Sequence, residues 1–310
     1  MGSRHFFKRH QGRGSYNLFN SYNYFLPGFK GMIMLLLMFL LGSLLGNIVI
    51  IFITLGLSAE FAQVYGTLIS YPLMFVPPMI YASYQSRKTE IWGEVGGIPE
   101  GGIPLDRNDF GTLGGFKVAL IVSIATLAAA FVAEPVSKML PEMPEFLKKA
   151  LEQLTEGPLW VTLLSVSIFA PLFEEWLCRG LVLRGLMKHM NPTGAILVSS
   201  AFFAVLHMNP WQAIPAFLLG ILFGYVYYRT GSLKLTMLMH CVNNTMATIF
   251  SRIPAFEDAE TFMDVLAPWK YAGIYAACVV ILICAIVILR AIPVKDQKMG
   301  NCDKVEPMSI

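Results

Sequence analysis

The chain has 310 residues, of which 55% are hydrophobic and only 14% charged. Ordinary soluble domains carry roughly 25% charged residues, so a water-soluble globule of this length would lack the polar surface to cover itself. The net charge of +3 is too small to point to nucleic acid, and its distribution is more informative than its sum. The five cysteines (Cys178, Cys241, Cys278, Cys284, Cys302) show no CxxC pair or zinc-ribbon spacing, and four lie in apolar runs. They are small hydrophobes and not a disulfide framework.

A transmembrane helix needs about 20 consecutive, mostly apolar residues. Runs of that kind predict an all-α, polytopic membrane bundle of about eight spans, at roughly 32–57, 63–84, 114–133, 158–187, 193–208, 211–228, 233–251 and 268–292. The first, MIMLLLMFLLGSLLGNIVIIFITLGL, follows a mixed polar and aromatic tail over 1–31. It has no small-residue cleavage site, so it is a retained helix and not a removed signal peptide. Between the second and third runs, 85–113 contains GEVGGIPEGGIPLDRNDFG, whose glycines and prolines predict a flexible loop. Met143–Glu156, ahead of the fourth run, places Phe146, Leu147, Ala150, Leu151 and Leu154 at helical spacing with charges between, the pattern of an amphipathic helix at a membrane surface. The fourth and fifth runs form a hairpin about Asn191-Pro192; the fifth and sixth are parted only by HMNPWQ, where Pro210 cannot continue a helix. Gly42-x-x-x-Gly46 and Gly220-x-x-x-Gly224 permit close approach of neighbouring helices. The organisation is thus an N-terminal tail over 1–31, one transmembrane helical domain over 32–292, and a C-terminal tail over 293–310.

Basic residues orient the bundle. Arg4, Lys8, Arg9, Arg13 and Lys30 precede the first run; Arg87, Lys88, Arg107 and Lys117 flank the second loop; Arg184 and Lys188, then Arg229 and Lys234, mark the fourth and sixth turns; Lys295, Lys298 and Lys304 follow the last run. The intervening loops are short or acidic, as in Glu257, Asp258, Glu260 and Asp264. The alternation holds at every crossing, which implies an even number of spans with both termini cytoplasmic.

Six polar side chains break the apolar pattern. Glu174, Glu175 and Arg179 lie in FEEWLCRG within the fourth run, His207 ends FFAVLH, and His240 and Asn244 lie in the seventh run. Ionisable groups in a membrane segment cost several kcal/mol unless paired, and mark function by default. Glu175 and Arg179 are i,i+4 and share a face, so they neutralise each other. Glu174 points about 100° away and has Cys178 at its own i+4; it is the carboxylate left for chemistry. His240 and Asn244 are also i,i+4 and offer two donors to one point, as an oxyanion site requires. Glu174 and His207 are nearly equidistant from the hairpin turn, so both stand about 25 Å up their helices and are expected to meet as a water-holding general-base pair. His240 is less easily placed: helical counting sets it only ~10 Å from the turn at Thr230-Gly231. That requires the fourth helix to protrude or a span to tilt or break.

These residues resemble the three motifs of the CPBP (CAAX protease and bacteriocin-processing, or Abi) family of intramembrane endopeptidases: Glu174-Glu175-x-x-x-Arg179, Phe203-x-x-x-His207 and His240-x-x-x-Asn244, in order on separate predicted helices. Each motif alone is weak; the ordered set is specific. The likeness covers about 158–251. It implies that Glu174 and His207 activate water, that His240 and Asn244 stabilise the oxyanion, that Glu175 and Arg179 support the helix, and that Phe203 packs within its motif. The family has been described both as metal-dependent and as glutamate-type, and the sequence leaves both open. A zinc ion would have Glu174, His207 and His240 as its candidate ligands, although HExxH is absent.

The resemblance implies an endopeptidase acting on a membrane-associated peptide or lipidated protein, in contact with membrane lipids and not with nucleic acid. The substrate is of CAAX type or a bacterial peptide precursor. The compact loops fit a bacterial inner membrane better than an endoplasmic reticulum. A catalytically idle immunity or scaffold protein of the same family is the alternative; a proton-coupled transporter is a third reading, against which no inverted repeat is visible. The topology has a direct test. A single cysteine at residue 258 is expected to react with an impermeant maleimide from the outer face, and labelling from the cytoplasmic face alone would refute eight spans.

Overall fold

In the computed structural model, residues 18–92, 98, 102–256, 259 and 261–294 are described. The first 17 residues, parts of the 93–101 stretch, Asp258 and the tail from 295 onward lie outside them, as do His5, His10 and Cys302. Among the described residues the secondary structure is helical and no strand occurs. We number the principal helices α1 (Phe29–Gly56), α2 (Ala59–Trp92), α3 (Gly115–Ser137), α4 (Glu145–Glu156), α5 (Leu159–Leu186), α6 (Pro192–Leu206), α7 (Pro210–Thr230), α8 (Leu233–Phe250) and α9 (Pro268–Arg290). Each of the eight apolar runs is a helix, and the amphipathic segment forms α4. Five helices (α1, α3, α5, α7 and α9) are long and apolar enough to cross a membrane. Of the other three, α6 is apolar but has only 15 residues.

Two expectations shift. The second helix runs well past residue 84, to Trp92, and so takes up the start of the expected loop. It does so with Pro72, Pro77 and Pro78 inside it; neighbouring helices in a bundle make such residues tolerable by re-satisfying the freed backbone groups. The fourth run is not uniform. Within α5, Leu163–Phe169 and Trp176–Leu183 are π-helical, and the α-helical turn Ala170–Glu175 lies between them.

The turns follow from local chemistry. Asn191 caps α6 by accepting from the Gly194 amide at 2.8 Å, and Asn209 caps α7 by accepting from Gln212 at 2.9 Å. Met208, between α6 and α7, has φ 53, a conformation that costs a non-glycine residue energy and tends to occur at functional sites. Gly231 has φ 64 and closes α7, with Arg107 so near that a side chain there would collide.

Close helix crossings set the packing. A Cβ on Gly42 would lie 2.0 Å from the Met74 carbonyl oxygen, and one on Gly46 would lie 3.2 Å from that of Ser70. These contacts run antiparallel and clamp α1 to α2. Gly220 and Gly224 likewise meet Ser200 and Ile196 and clamp α7 to α6. Helix α3 packs on α7, α8 and α9.

Loop contacts gather at two ends of the bundle. At one end Arg107 N donates to Gly231 O (2.8 Å), Tyr227 donates to Leu105 O (2.7 Å), and buried Arg184 donates to the carbonyls of Tyr22, Phe25 and Ile103. Arg229 reaches the last carbonyls of α9 at the same end. At the other end Trp211 donates to Pro141 O (2.8 Å), Arg252 to Gly157 O (2.8 Å), and Lys138 pairs with Asp264 at 2.9 Å. The Lys138 hydrogen bond holds the Asp264 carboxyl below its ordinary range.

Gly42→Ala tests the crossing. The added methyl meets backbone and not a flexible side chain, so the helices must separate, at a cost of about 1–3 kcal/mol. A lowered thermal midpoint in detergent is expected, whereas Gly56→Ala, with nothing within 4 Å, should leave it unchanged.

Candidate functional site

Glu174 and Glu175 end the α-helical turn between the two π stretches of α5. Single π turns within α-helices recur at functional sites, because the widened ring shifts side-chain directions and loosens the carbonyl ladder. Both consequences occur here. The Val166 carbonyl, in the first π stretch, accepts a hydrogen bond from Asn244 Nδ2 of α8 at 2.8 Å. Arg179, in the second, turns back onto Glu175.

The Glu175 carboxylate and the Arg179 guanidinium are both completely buried. Arg179 Nη1 donates to Glu175 Oε1 at 2.8 Å, and Nη2 donates to the Gly220 carbonyl of α7 at 3.0 Å. Its guanidinium carbon lies 4.7 Å from the Phe203 ring centroid and 5.4 Å from that of Phe223. These are cation–π contacts, worth most when desolvated. Phe203, expected only to pack within its motif, is thus a face on which the arginine is laid.

Glu175 has a second partner that helical counting did not provide. His240 Nδ1 lies 3.1 Å from the same Oε1. A carboxylate oxygen accepts, so a neutral His240 carries its proton on Nδ1 and presents Nε2 to the site. Nε2 in turn lies 3.9 Å from Glu174 Oε2. His240 therefore reaches the depth of both glutamates. Eight residues between Glu175 and the end of α5 are π-helical, and a π turn holds more residues than an α turn, so counting at α-helical rise overstates how far Glu175 stands from its end of the bundle.

Glu174 is set apart from this group. Its Oε1 accepts a hydrogen bond from the Tyr71 hydroxyl of α2. Oε2 is buried and makes no hydrogen bond to the described residues; the 3.9 Å gap to His240 exceeds a hydrogen bond and is of a kind that water bridges.

His207 makes no direct hydrogen bond to Glu174 among the described residues, and a pair that holds one water between them requires none. It caps the end of α6, and its Nδ1 turns back to the Phe203 carbonyl at 3.0 Å. A carbonyl only accepts, so Nδ1 carries the proton and Nε2 keeps its lone pair. Asn209 Nδ2 holds the His207 carbonyl at 2.9 Å across the Met208 turn. The Phe203 ring stands edge-on to both imidazoles, 5.0 Å from His207 and 5.5 Å from His240. The capping position turns this ring back along its own helix.

Asn244 also has neighbours beyond its motif. Besides bonding Val166, its Oδ1 accepts from Asn243 Nδ2 at 3.1 Å. One hydrogen of its amide is committed to Val166 and the other is uncommitted.

Among the described residues, no group of three or more His, Cys, Asp or Glu is gathered so as to hold a metal ion. Glu174, His207 and His240 do not form a coordination set in this arrangement. Tyr71, Phe223 and Val166 are participants that the sequence did not single out, and Gly220, expected only to permit a close crossing, also lends its carbonyl to Arg179.

Residues 156–246 match the family model described as Type II CAAX prenyl endopeptidase Rce1-like. No curated protein and no solved structure matches the chain. The matched segment contains Glu174, Glu175, Arg179, Phe203, His207, His240 and Asn244, and excludes Tyr71.

The shared carboxylate yields a stability prediction. Arg179→Ala would leave Glu175 buried with only an imidazole as partner, a loss of about 3–5 kcal/mol, expected as a sharply lower thermal midpoint. Arg179→Lys should recover little, because an ammonium cannot serve Glu175 and Gly220 while lying flat on Phe203.

Proposed function

We propose that this chain, whose residues 156–246 match the Type II CAAX prenyl endopeptidase model, is an intramembrane endopeptidase that hydrolyses a peptide bond of a membrane-associated substrate. The observation that carries this reading is the division of the adjacent carboxylates. Glu175 is committed to Arg179 and His240, while Glu174 keeps Oε2 facing the His240 Nε2 at 3.9 Å.

The proposed reaction uses the chain's own residues. Glu174 Oε2 takes a proton from a water as its oxygen attacks the scissile carbonyl carbon. His207 Nε2, left unprotonated by the bond at Nδ1, holds the second hydrogen of that water. The tetrahedral oxyanion accepts from His240 Nε2 and from the remaining amide hydrogen of Asn244. For His240 to donate from Nε2 while Nδ1 donates to Glu175, it carries both protons, and Glu175 supplies the counter-charge. Two carboxylates then face one guanidinium and one imidazolium, and the buried set is neutral, as a membrane interior demands. On collapse the carbon–nitrogen bond breaks, and the proton held by Glu174 passes to the leaving amine.

The eight helices span the bilayer in this reading with both termini in the cytoplasm, and the short or more polar α2, α6 and α8 are sheltered by their neighbours. The substrate is a CAAX-type lipidated terminus or, in a bacterial inner membrane, a peptide precursor.

Purified protein assayed on farnesylated and unprenylated CAAX peptides tests the proposal. Glu174→Gln and His207→Ala are each expected to lower kcat by about 10²–10⁴-fold with the thermal midpoint retained. Wild-type rates in both variants would refute it. Activity that persists after complete chelation would exclude a zinc requirement, and loss restored by added zinc would establish one.

A further inference from the structure

We propose that Tyr71 is a positioning residue for catalysis: its hydroxyl occupies Glu174 Oε1 and so fixes Oε2 as the oxygen that receives the proton. The inference rests on the reading of Glu174 as the water-activating group, and adds to it a helix that the family match does not reach.

A glutamate carboxylate is the least constrained kind of base. Its terminal torsion is broad, and its two oxygens are equivalent until something distinguishes them. In Glu175 the distinction is made by Arg179 and His240, both on Oε1. In Glu174 it is made, among the described residues, by Tyr71, which donates to Oε1 and leaves Oε2 toward His240 Nε2. Without that bond the carboxylate could rotate either oxygen away from the imidazole.

The donor is itself held. The Tyr71 ring lies 5.7 Å from Phe75 of the same helix. Phe75 is fully buried and stacks on Phe173 of α5 at 5.2 Å and 16°. Phe173 is the residue immediately before Glu174, so one aromatic contact fixes the backbone and the hydroxyl fixes the side chain. Phe39 of α1 backs Phe75 at 5.4 Å, which extends the support to the close α1–α2 crossing at Gly42. The hydroxyl is thus carried to the carboxylate by packing that does not depend on Glu174.

A tyrosine that merely satisfies its own hydroxyl would give the same picture, and the two roles separate in kinetics. Tyr71→Phe retains the ring on Phe75 and loses only the donor. If Tyr71 positions the base, kcat falls about 10- to 100-fold, since small misplacements of a reacting group cost that much, while KM on a farnesylated CAAX peptide stays within about 3-fold, the substrate contacts being intact. Tyr71→His, which keeps a ring and a donor, is expected to hold kcat above that of Tyr71→Phe. Glu174→Gln is measured alongside, with the thermal midpoint of each variant. Tyr71→Phe at wild-type kcat beside an inactive Glu174→Gln would overturn the role of Tyr71 and leave Glu174 standing. An active Glu174→Gln would overturn the underlying reading. Equal loss of kcat in both Tyr71 variants, in step with a lowered midpoint, would show Tyr71 to be structural only and also overturn the proposal.

Discussion

The carboxylate of Glu175 is the point on which the centre of the bundle is assembled. It is fully buried and one oxygen is shared by Arg179 and His240. The guanidinium is not tolerable in this interior alone, and neither is the carboxylate; removing either strands a charge in low dielectric. The group also fixes geometry. It ties α5 to α8 through His240, and through Arg179 it ties α5 to the Gly220 carbonyl of α7 and to the Phe203 ring of α6. Four helices converge on one carboxyl group, and the second glutamate, one residue away, is carried into the same space.

Irregular helix accompanies that convergence. The two π stretches of α5 shorten its rise and release the Val166 carbonyl, to which Asn244 is tied. The polar burden is shared unevenly among the helices. The lipid-facing α1 and α9 are apolar almost throughout, whereas Tyr71, His207, His240 and Asn244 lie on α2, α6 and α8, the three that are too short or too polar to count as membrane-crossing by composition. Their polarity is admissible because other helices surround them, and a neutral polar set costs far less than a charged one.

The sequence made the helices legible because hydrophobic length is a strong signal in lipid. Positions of eight helices, the turns at Asn191 and Asn209 and the two glycine crossings follow from it. The i,i+4 rule also separated Glu175 from Glu174, since that rule depends only on local geometry. What the sequence concealed lies between helices. Tyr71 has no motif around it; it is one aromatic in a proline-containing apolar run, and only tertiary packing shows that it meets Glu174. The bond from His240 to Glu175 joins two helices, and no spacing rule within one helix reports it. The bond from His207 back to the Phe203 carbonyl was also hidden, because a capping residue follows the end of its own helix.

The central claim is that Glu174 activates water and is not itself acylated. A single turnover in H2 18O, followed by mass spectrometry of both the product and the peptide that contains Glu174, tests it most directly. The account predicts heavy oxygen in the new carboxylate of the cleaved substrate and none in Glu174. Heavy oxygen in the Glu174 side chain would reveal an acyl-enzyme anhydride opened at the glutamate carbonyl, and would contradict it.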